Sequence, residues 1–149
     1  MTYTLQETTA WGRAHFVVRD EDNTKVRMAE GRGKIELQNA DRKTVGSVKR
    51  KAASTYQVQI ASGKRGQLEP SHGGGMRLTA WNWTVVRNPG GVSWSVLDND
   101  RKQVAKITRG TGVRRPVYWL DIRTKEDLTI ITLVAIAIRL NEIGRAVII

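Results

Sequence analysis

The stretch that decides the fold is Leu128-Thr-Ile-Ile-Thr-Leu-Val-Ala-Ile-Ala-Ile-Arg-Leu140, near the carboxyl end of the chain. Ten of these thirteen residues are apolar, and eight of those have large side chains. On a helix of 3.6 residues per turn the large side chains point in every direction, so the helix must be enclosed by the rest of the protein. Burial of the large side chains contributes on the order of 12 to 24 kcal/mol, an upper bound because unfolded chains are already partly collapsed.

Its length and its borders distinguish this helix from a membrane span. A bilayer core requires about 20 consecutive apolar residues, and Arg139 interrupts the run well before that length. Thr124 and Asp127 form a T-x-x-D capping pattern directly before Leu128, which predicts a helix start there. Gly144 predicts the helix end. We therefore expect a helix buried within the protein, and a helix lying in a membrane interface is the alternative.

The preceding part of the chain, residues 11–119, has the pattern of short antiparallel strands. Over residues 56–60 apolar side chains alternate with glutamines, which predicts a strand with one buried and one solvated face. Polar turn sequences separate such segments and predict hairpins; they lie at 20–23, 39–43, 88–91 and 98–102. Residues 76–85 are apolar at both sets of alternating positions and predict one strand covered on both faces, and residues 146–149 are a candidate closing strand.

An internal repeat shows how these strands are used. Residues 37–50 align with residues 96–109 at a constant offset. The matched residues are Asp41 and Asp100, Arg42 and Arg101, Lys43 and Lys102, Val45 and Val104, and Arg50 and Arg109, with Asp22 and Val26 in a weaker third copy. The repeat predicts a reused hairpin in which the Asp supports the turn and the Val enters the core. Hairpins closed into a ring lose their exposed edges and can surround the helix, so we predict a mainly β fold, a closed antiparallel β-barrel around the C-terminal helix.

Composition and net charge restrict the kinds of partner. The 149 residues include 25 Lys and Arg against 14 Asp and Glu, a net charge of +11, which favours anionic partners such as nucleic acid or an acidic membrane surface. Solubility is the alternative reason for this charge. The chain has no Cys, which excludes disulfides and thiolate chemistry. The length predicts a single domain over residues 1–149, and the polar residues 1–9 predict a cytoplasmic protein with at most peripheral membrane contact.

Three segments, in this order, carry a resemblance to a known family. They are Phe16-Val-Val-Arg-Asp20 followed by Val26, then Asp41-x-x-x-Val45-x-x-Val48-x-Arg50-Lys51 followed by Tyr56-x-Val58, and Asp127-Leu-x-Ile130 leading to Ala135-Ile-Ala-Ile138. With these segments the chain resembles, over most of its length, the tubby C-terminal-like superfamily, in particular the LURP-one-related and bacterial YxjI-like proteins, with phospholipid scramblases more distant. The resemblance implies a closed barrel of about twelve antiparallel strands threaded by the C-terminal helix. It also implies binding of phosphoinositide or other phospholipid head groups.

The resemblance further implies where an anion would bind. Tubby-like proteins hold phosphates with Lys and Arg on a strand that continues into a Ser/Thr-containing stretch ending in Tyr, and Lys49-Arg50-Lys51-Ala-Ala-Ser-Thr-Tyr56 is similar. We therefore expect Lys49, Arg50 and Lys51 to bind the anion. The repeated turns supply a second group, namely Arg42, Lys43, Arg101 and Lys102. Residues 42–65 contain seven Lys and Arg and residues 101–115 contain six, without an acidic residue in either. The alternative is that these cations only keep the outside of a barrel soluble.

Two other non-catalytic functions compete with lipid binding. Nucleic acid offers phosphates to the same cations, although single-strand binding also requires exposed aromatic side chains. Most of the five Trp residues lie in apolar strand segments, where packing in the core is their expected role. A scaffold or protein-interaction domain is the third alternative.

Catalysis and metal binding have little support in the sequence. His15 and His72 are the only histidines, and neither has a partner at the spacing of a metal site. The nucleophile-elbow and zinc-protease motifs are absent. The segment Asp20-Glu-Asp-Asn23 lacks the Gly and the final Glu of a calcium-binding loop, so we expect a hairpin turn there. We expect a binding module that is not an enzyme and that uses no cofactor.

Overall fold

The structure is a computed structural model that describes residues 1–10, 13–110 and 116–147. In these residues twelve β-strands are followed by a short 3₁₀ turn and one α-helix. The strands are β1 (Thr2–Ala10), β2 (Arg13–Arg19), β3 (Lys25–Gly31), β4 (Lys34–Asn39), β5 (Thr44–Ala52), β6 (Thr55–Ile60), β7 (Arg65–Pro70), β8 (Met76–Leu78), β9 (Trp83–Arg87), β10 (Ser93–Leu97), β11 (Gln103–Arg109) and β12 (Val117–Ile122). The 3₁₀ turn is Lys125–Asp127 and the helix, α1, is Leu128–Val147. The predicted fold, a closed antiparallel barrel with a C-terminal helix, is confirmed.

The barrel is closed by its first and last strands. Every strand pairs with the next one along the chain, and β1 pairs with β12. In this closing pair Tyr3 lies opposite Leu120, and Leu5 lies opposite Tyr118. All four side chains are buried. The seam is therefore part of the hydrophobic core, and among the described strands each edge has a partner.

The apolar part of α1 fills the barrel. Residues 130–138 are all buried, which confirms the predicted enclosure. The hydroxyl of Thr132 donates to the backbone oxygen of Leu128 at 2.7 Å, so this buried polar group is satisfied. The helix comes closest to β5, β6 and β12. Gly46 of β5 permits this approach, because a Cβ there would lie 2.9 Å from Cδ1 of Leu133.

The structure confirms the predicted helix start at Leu128 and corrects the predicted end. α1 continues through Gly144 to Val147, because glycine ends a helix only where the chain turns into a left-handed backbone, and inside a helix it costs only about 1 kcal/mol. Residues 146 and 147 are helical, so the predicted closing strand is wrong; residues 148 and 149 lie outside the described part. At the other end, the Thr124 hydroxyl donates to Oδ2 of Asp127 at 3.0 Å. This pair closes the 3₁₀ turn rather than capping α1 itself.

The apolar segment 76–85 is a hairpin rather than the single strand predicted. It contains β8, a turn at residues 79–82, and β9. Ala80 and Asn82 adopt positive φ angles of 71° and 57°, which reverses the chain. The backbone N–H of Gln67 donates to the hydroxyl of Thr79 at 2.7 Å and fixes this turn to β7. Apolar residues on both faces therefore belong to two short strands.

The connections between strands alternate between the two ends of the barrel, because neighbouring strands are antiparallel. We call the end at which α1 begins the proximal end, and the end at which it emerges the distal end. Turns at 20–24, 40–43, 61–64 and 98–102 lie at the proximal end, and turns at 32–33, 53–54, 71–75 and 88–92 lie at the distal end. Within the described ranges, no helix is sufficiently long and apolar for a membrane crossing.

Candidate functional site

The three cations that the sequence places first lie together at the distal end of β5. Lys49, Arg50 and Lys51 are all exposed. None of them forms an ion pair with a carboxylate among the described residues. Their charges are therefore available to a ligand.

Strand alternation separates Arg50 from Lys49. Val48 faces the interior and is buried, and Arg50, two residues later, belongs to the same inward set. Arg50 also lies opposite Tyr56, whose side chain is fully buried. Because Arg50 is nevertheless exposed, it lies on the rim of the barrel, whereas Lys49 lies on the outer wall. A β-bulge follows between Arg50 and Ala52, and Lys51 occupies it.

A fourth cation joins this group on the outer wall. Lys34 of β4 is exposed and lies directly opposite Lys49, with an expected Cα separation of about 5 Å. Like charges placed opposite each other destabilise a sheet, and a bound anion would remove that repulsion. We call these four residues the basic rim, namely Lys34, Lys49, Arg50 and Lys51.

Lys34 is not among the residues predicted from the sequence, because its position depends on the register of the hairpin. A β-bulge between Leu37 and Gln38 shifts the pairing of β4 with β5. Counting outward from the 39–43 turn without that bulge therefore places the wrong residue opposite Lys49. The sequence does contain a signal, because Lys34 and Lys49 lie at the distal ends of the two strands of one hairpin. They are found opposite each other only if one extra residue is counted for the bulge.

The outer wall next to the basic rim carries negative charge. Glu36 lies two residues after Lys34 on β4, opposite Ser47 of β5 and opposite Glu30 of β3. A shallow groove of about 310 Å³ here is lined by the carboxylates Glu30 and Glu36 and, at its distal edge, by the cations Arg32 and Lys34. An anion is therefore attracted to the rim itself and is repelled from the wall below it.

The second predicted group lies at the opposite end of the barrel. Arg42, Lys43, Arg101 and Lys102 are in the proximal turns. Arg50 lies six residues after Thr44, which corresponds to about 20 Å along β5. The two turns are also far from each other, because the hairpins β4–β5 and β10–β11 are six positions apart in a ring of twelve strands. The structure does not bring the seven predicted residues into one site.

The repeated turns have a local structural purpose. In each copy, Oδ1 of the first turn residue accepts hydrogen bonds from two backbone N–H groups at 2.9–3.0 Å. The accepting residues are Asp20, Asn39 and Asp98. The prediction that Asp41 and Asp100 support the turn is therefore wrong, because the side chain that reaches these N–H groups belongs to the residue two positions earlier. The predicted core role of the Val is confirmed for Val104, which is fully buried, whereas Val26 and Val45 are partly buried and pack against the core.

Arg42 and Arg101 occupy the left-handed position of these turns. Their φ angles are 63° and 61°, and Asn23 in the third copy has 64°. Asp98 also pairs with Arg123 at 3.3 Å. The backbone N–H of Lys102, with further help from Arg123 and the N–H of Asp100, lowers the pKa of Asp98 against the opposite effect of desolvation. Asp98 and Arg123 are thus already used to hold the chain, whereas the exposed side chains of Arg42 and Arg101 form no ion pair among the described residues.

Polar side chains fasten the distal part of α1 to the rim. The contacts are Arg139 Nε to Glu7 Oε2 at 2.6 Å, Arg109 Nη1 to Glu142 Oε2 at 2.9 Å, and Ser54 Oγ to Asn141 Oδ1 at 3.0 Å. The hydroxyl of Tyr118 donates to the other oxygen of Glu142 at 2.8 Å. Burial, followed by this hydrogen bond, raises the pKa of Tyr118, so its hydroxyl remains a donor. The helix end is therefore held by residues from several strands.

Among the described residues, the histidines form no metal site and the tryptophans offer few exposed faces. His15 contacts Thr8, and His72 is exposed in a distal turn. In the described ranges no group of His, Asp or Glu could hold a metal ion. Trp119 is 44% exposed on the outer wall, whereas Trp94 is buried and Trp11 lies outside the described residues. Surfaces for base stacking are therefore scarce in the described part.

Comparisons with known proteins identify a similar fold and give no information on function. No family profile and no curated protein matches this chain. A solved X-ray structure of a protein from Arabidopsis thaliana is similar, with 15% sequence identity, coverage of 94% of this chain and 91% of that chain, and a TM-score of 0.62. At this identity the likeness shows a shared fold alone.

Proposed function

We propose that this protein is a non-catalytic module that binds an anionic, phosphorylated ligand at the basic rim, and that the ligand is a phospholipid or phosphoinositide head group at a membrane surface. The resemblance to the tubby C-terminal-like superfamily supports this ligand class. The geometry adds Lys34 to the expected residues, and it separates Arg42, Lys43, Arg101 and Lys102 from them.

One observation carries the proposal. Lys34 and Lys49 lie opposite each other at the distal end, next to Arg50 and Lys51, and none of the four forms an ion pair in the described part of the chain. Phosphate oxygens would accept charge-assisted hydrogen bonds from these side chains and cancel their mutual repulsion. If these four cations served only solubility, we would expect them to be spaced apart, because like charges on neighbouring strands destabilise the sheet.

The position of the basic rim at one end of the barrel suits a flat partner. A membrane can approach the distal end while Glu30 and Glu36, which lie on the wall below, stay farther from its negative charge. Each Lys or Arg near an acidic bilayer contributes roughly 1 kcal/mol. Four such residues would therefore raise the partition onto the membrane by about a thousandfold at low salt. Raising the ionic strength should weaken this binding.

The test compares two triple variants with the same change of charge. Replacing Lys49, Arg50 and Lys51 with Gln should abolish most co-sedimentation with liposomes that contain acidic phospholipids, and the melting temperature should stay nearly constant because all three side chains are exposed. Replacing Lys43, Arg101 and Lys102 with Gln removes equal charge from the proximal end and should leave most of the binding. An equal loss of co-sedimentation in both variants would contradict a specific site and indicate attraction by net charge alone. Unchanged sedimentation of the first variant would refute it.

The same protein separates lipid from nucleic acid. The exposed Trp119 lies on β12, away from the basic rim on β4 and β5, so a nucleic acid strand held at the rim would not stack on it. We expect soluble inositol phosphates to compete with acidic liposomes, and we expect single-stranded oligonucleotides to leave Trp fluorescence unchanged. Strong quenching by oligonucleotides, with a steep salt dependence, would favour nucleic-acid binding instead.

A further inference from the structure

A pocket of about 180 Å³ opens at the distal end between α1 and strands β7 to β10. Its existence follows from the position of the helix. Gly46 lets α1 lie close to β5, and the helix comes nearest to β5, β6 and β12. Unfilled space therefore remains at the distal rim on the side of the barrel that includes β8. This strand has only three residues, Met76–Leu78.

The walls of the pocket are mostly apolar. Met76, Val85, Trp94 and Ile138 contribute side chains to its lining. An apolar cavity of about 150 Å³ is large enough for benzene, so this pocket has room for one aromatic ring with a small substituent. Trp94 offers an indole against which such a ring can pack in an offset or edge-to-face arrangement.

The polar edge of the pocket presents hydrogen-bond donors. Arg87 lines it, and its Nε and Nη2 both donate to the backbone oxygen of Gly91, at 3.1 and 2.8 Å. Its guanidinium carbon lies 5.6 Å from the centre of the Trp94 ring. In the described part of the chain, Nη1 of Arg87 has no acceptor and no carboxylate pairs with this residue. Its charge therefore remains open to a ligand.

Two other polar residues at this edge complete the arrangement. Oδ1 of Asn141 already accepts from the Ser54 hydroxyl at 3.0 Å, which leaves the amide NH₂ as a donor. Both carboxylate oxygens of Glu142 are occupied, one by Tyr118 at 2.8 Å and the other by Arg109 at 2.9 Å. The negative charge of Glu142 is thus compensated, and the edge favours a ligand that accepts hydrogen bonds and carries a negative charge.

We infer that this pocket binds a small aromatic carboxylate. The ring would pack between Met76, Val85 and Trp94, and the carboxylate would accept hydrogen bonds from Arg87 and the amide of Asn141. This site is distinct from the basic rim, which lies on β4 and β5, and it does not depend on the proposed binding of phosphorylated head groups.

The probe that tests this inference is benzoate, with benzamide as a neutral molecule of the same shape. A titration of the full chain, followed by ¹H–¹⁵N NMR, should give saturable shifts confined to residues around the pocket. Benzamide should bind about tenfold more weakly, because it lacks the charge that Arg87 recognises. Equal binding of the two probes, or no saturable shift with benzoate, would overturn the inference.

Variants with matched controls locate the binding. Arg87→Gln should weaken benzoate about tenfold and leave benzamide unchanged, whereas Arg77→Gln, an exposed arginine on β8 outside the pocket lining, should change neither. Met76→Trp should fill the pocket and abolish both. If Met76→Trp does not fold, the comparison of Arg87→Gln with Arg77→Gln still tests the site. An equal loss of benzoate affinity in both arginine variants would refute it. The Gln variant of Lys49, Arg50 and Lys51 should bind benzoate normally, which separates this site from the basic rim.

Discussion

The two ends of the barrel use charged residues differently. At the proximal end the turn residues Asp20, Asn39 and Asp98 accept backbone hydrogen bonds, and Arg123 pairs with Asp98. At the distal end, Lys34 and Lys49 face each other without an acidic partner in the described chain. Three proximal turns are thus held by an Asp or Asn side chain, whereas at the distal end two lysines lie opposite each other across one hairpin. The exposed cations of the proximal turns also lack a carboxylate partner in the described chain, namely Arg42, Lys43, Arg101 and Lys102.

This difference teaches how to interpret a run of basic residues. Arg42 and Lys43 are as basic as Lys49 and Arg50; the first pair directly precedes β5, and the second pair lies near the distal end of the same strand. Yet Arg42 has a left-handed backbone inside a turn that Asn39 holds, whereas Arg50 lies at an open rim. A cation becomes a candidate for ligand binding only after the structural requirements of its position are accounted for.

The largest expected effect tests the enclosed part of α1 against its distal part. Ile136 is fully buried, and Ile136→Asp would place an unpaired charge inside the barrel at a cost of many kcal/mol. We expect no folded protein, measured as loss of soluble yield and of a cooperative melting transition. Ile143→Asp, at a half-buried distal position, should fold. A soluble, cooperative Ile136→Asp variant would show that the helix is not enclosed.

The second prediction concerns the close approach of α1 to β5. In Gly46→Ala the new Cβ would lie 2.9 Å from Leu133 Cδ1 and 3.0 Å from the backbone oxygen of Gln59. We expect a loss of about 1–3 kcal/mol in the free energy of unfolding, the usual effect of overpacking, measured by urea denaturation. Gly73→Ala in a distal turn meets no atom within 4 Å and should change stability by less than about 0.5 kcal/mol. Equal stability of both variants would mean that the helix can shift.

The third prediction is a pH dependence that belongs to the proximal end. Because hydrogen bonds and Arg123 lower the pKa of Asp98 in the folded protein, its carboxylate stabilises the fold above the unfolded value of about 4. That contribution is lost as the pH falls through the lower folded pKa.

Thermal unfolding between neutral and strongly acidic pH measures this effect. Asp98→Asn keeps an Oδ1 acceptor, as Asn39 does in the other copy, and should therefore be less sensitive to acid than the natural protein. Asp98→Ala loses the acceptor as well and should be less stable than Asp98→Asn at every pH. Identical acid sensitivity of the natural protein and Asp98→Asn would contradict the assignment.

The smallest expected effect is a gain in stability at the distal end. Lys34→Gln removes the repulsion with Lys49 and should stabilise the fold by about 0.2–1 kcal/mol at low salt, while it weakens binding to acidic liposomes. Lys106→Gln is the control, because Lys106 lies opposite Asp121 and its loss should not stabilise. A parallel rise of stability and lipid binding in Lys34→Gln would contradict a role of the basic rim in binding.

The fold could be predicted because its determinants are local in the sequence. The all-round apolar surface of residues 128–140 requires enclosure, and the repeated hairpins supply a wall. The details that failed depend on backbone angles that composition does not define. Gly144 has helical rather than left-handed backbone, and the positive φ of Ala80 divides an apolar segment into β8 and β9.

The candidate site could be predicted only in part. Lys49, Arg50 and Lys51 are adjacent in the chain, so the sequence shows them together. Lys34 joins them through a register that a bulge shifts by one residue. The pocket near Arg87 depends on where the helix lies within the ring, and Gly46 permits that position. Contacts of this kind arise only when distant segments meet.

The pairing of β1 with β12 has a consequence for how the molecule is made. The amino group of Met1 donates to the backbone oxygen of Ile122, 121 residues away, so β1 can complete its hydrogen bonds only after β12 has been synthesised. Contacts of such high sequence separation slow folding. Until the ring closes, one edge of β1 and the apolar surface of α1 are exposed and can bind other molecules. Ring closure is therefore the step at which a chaperone would matter most.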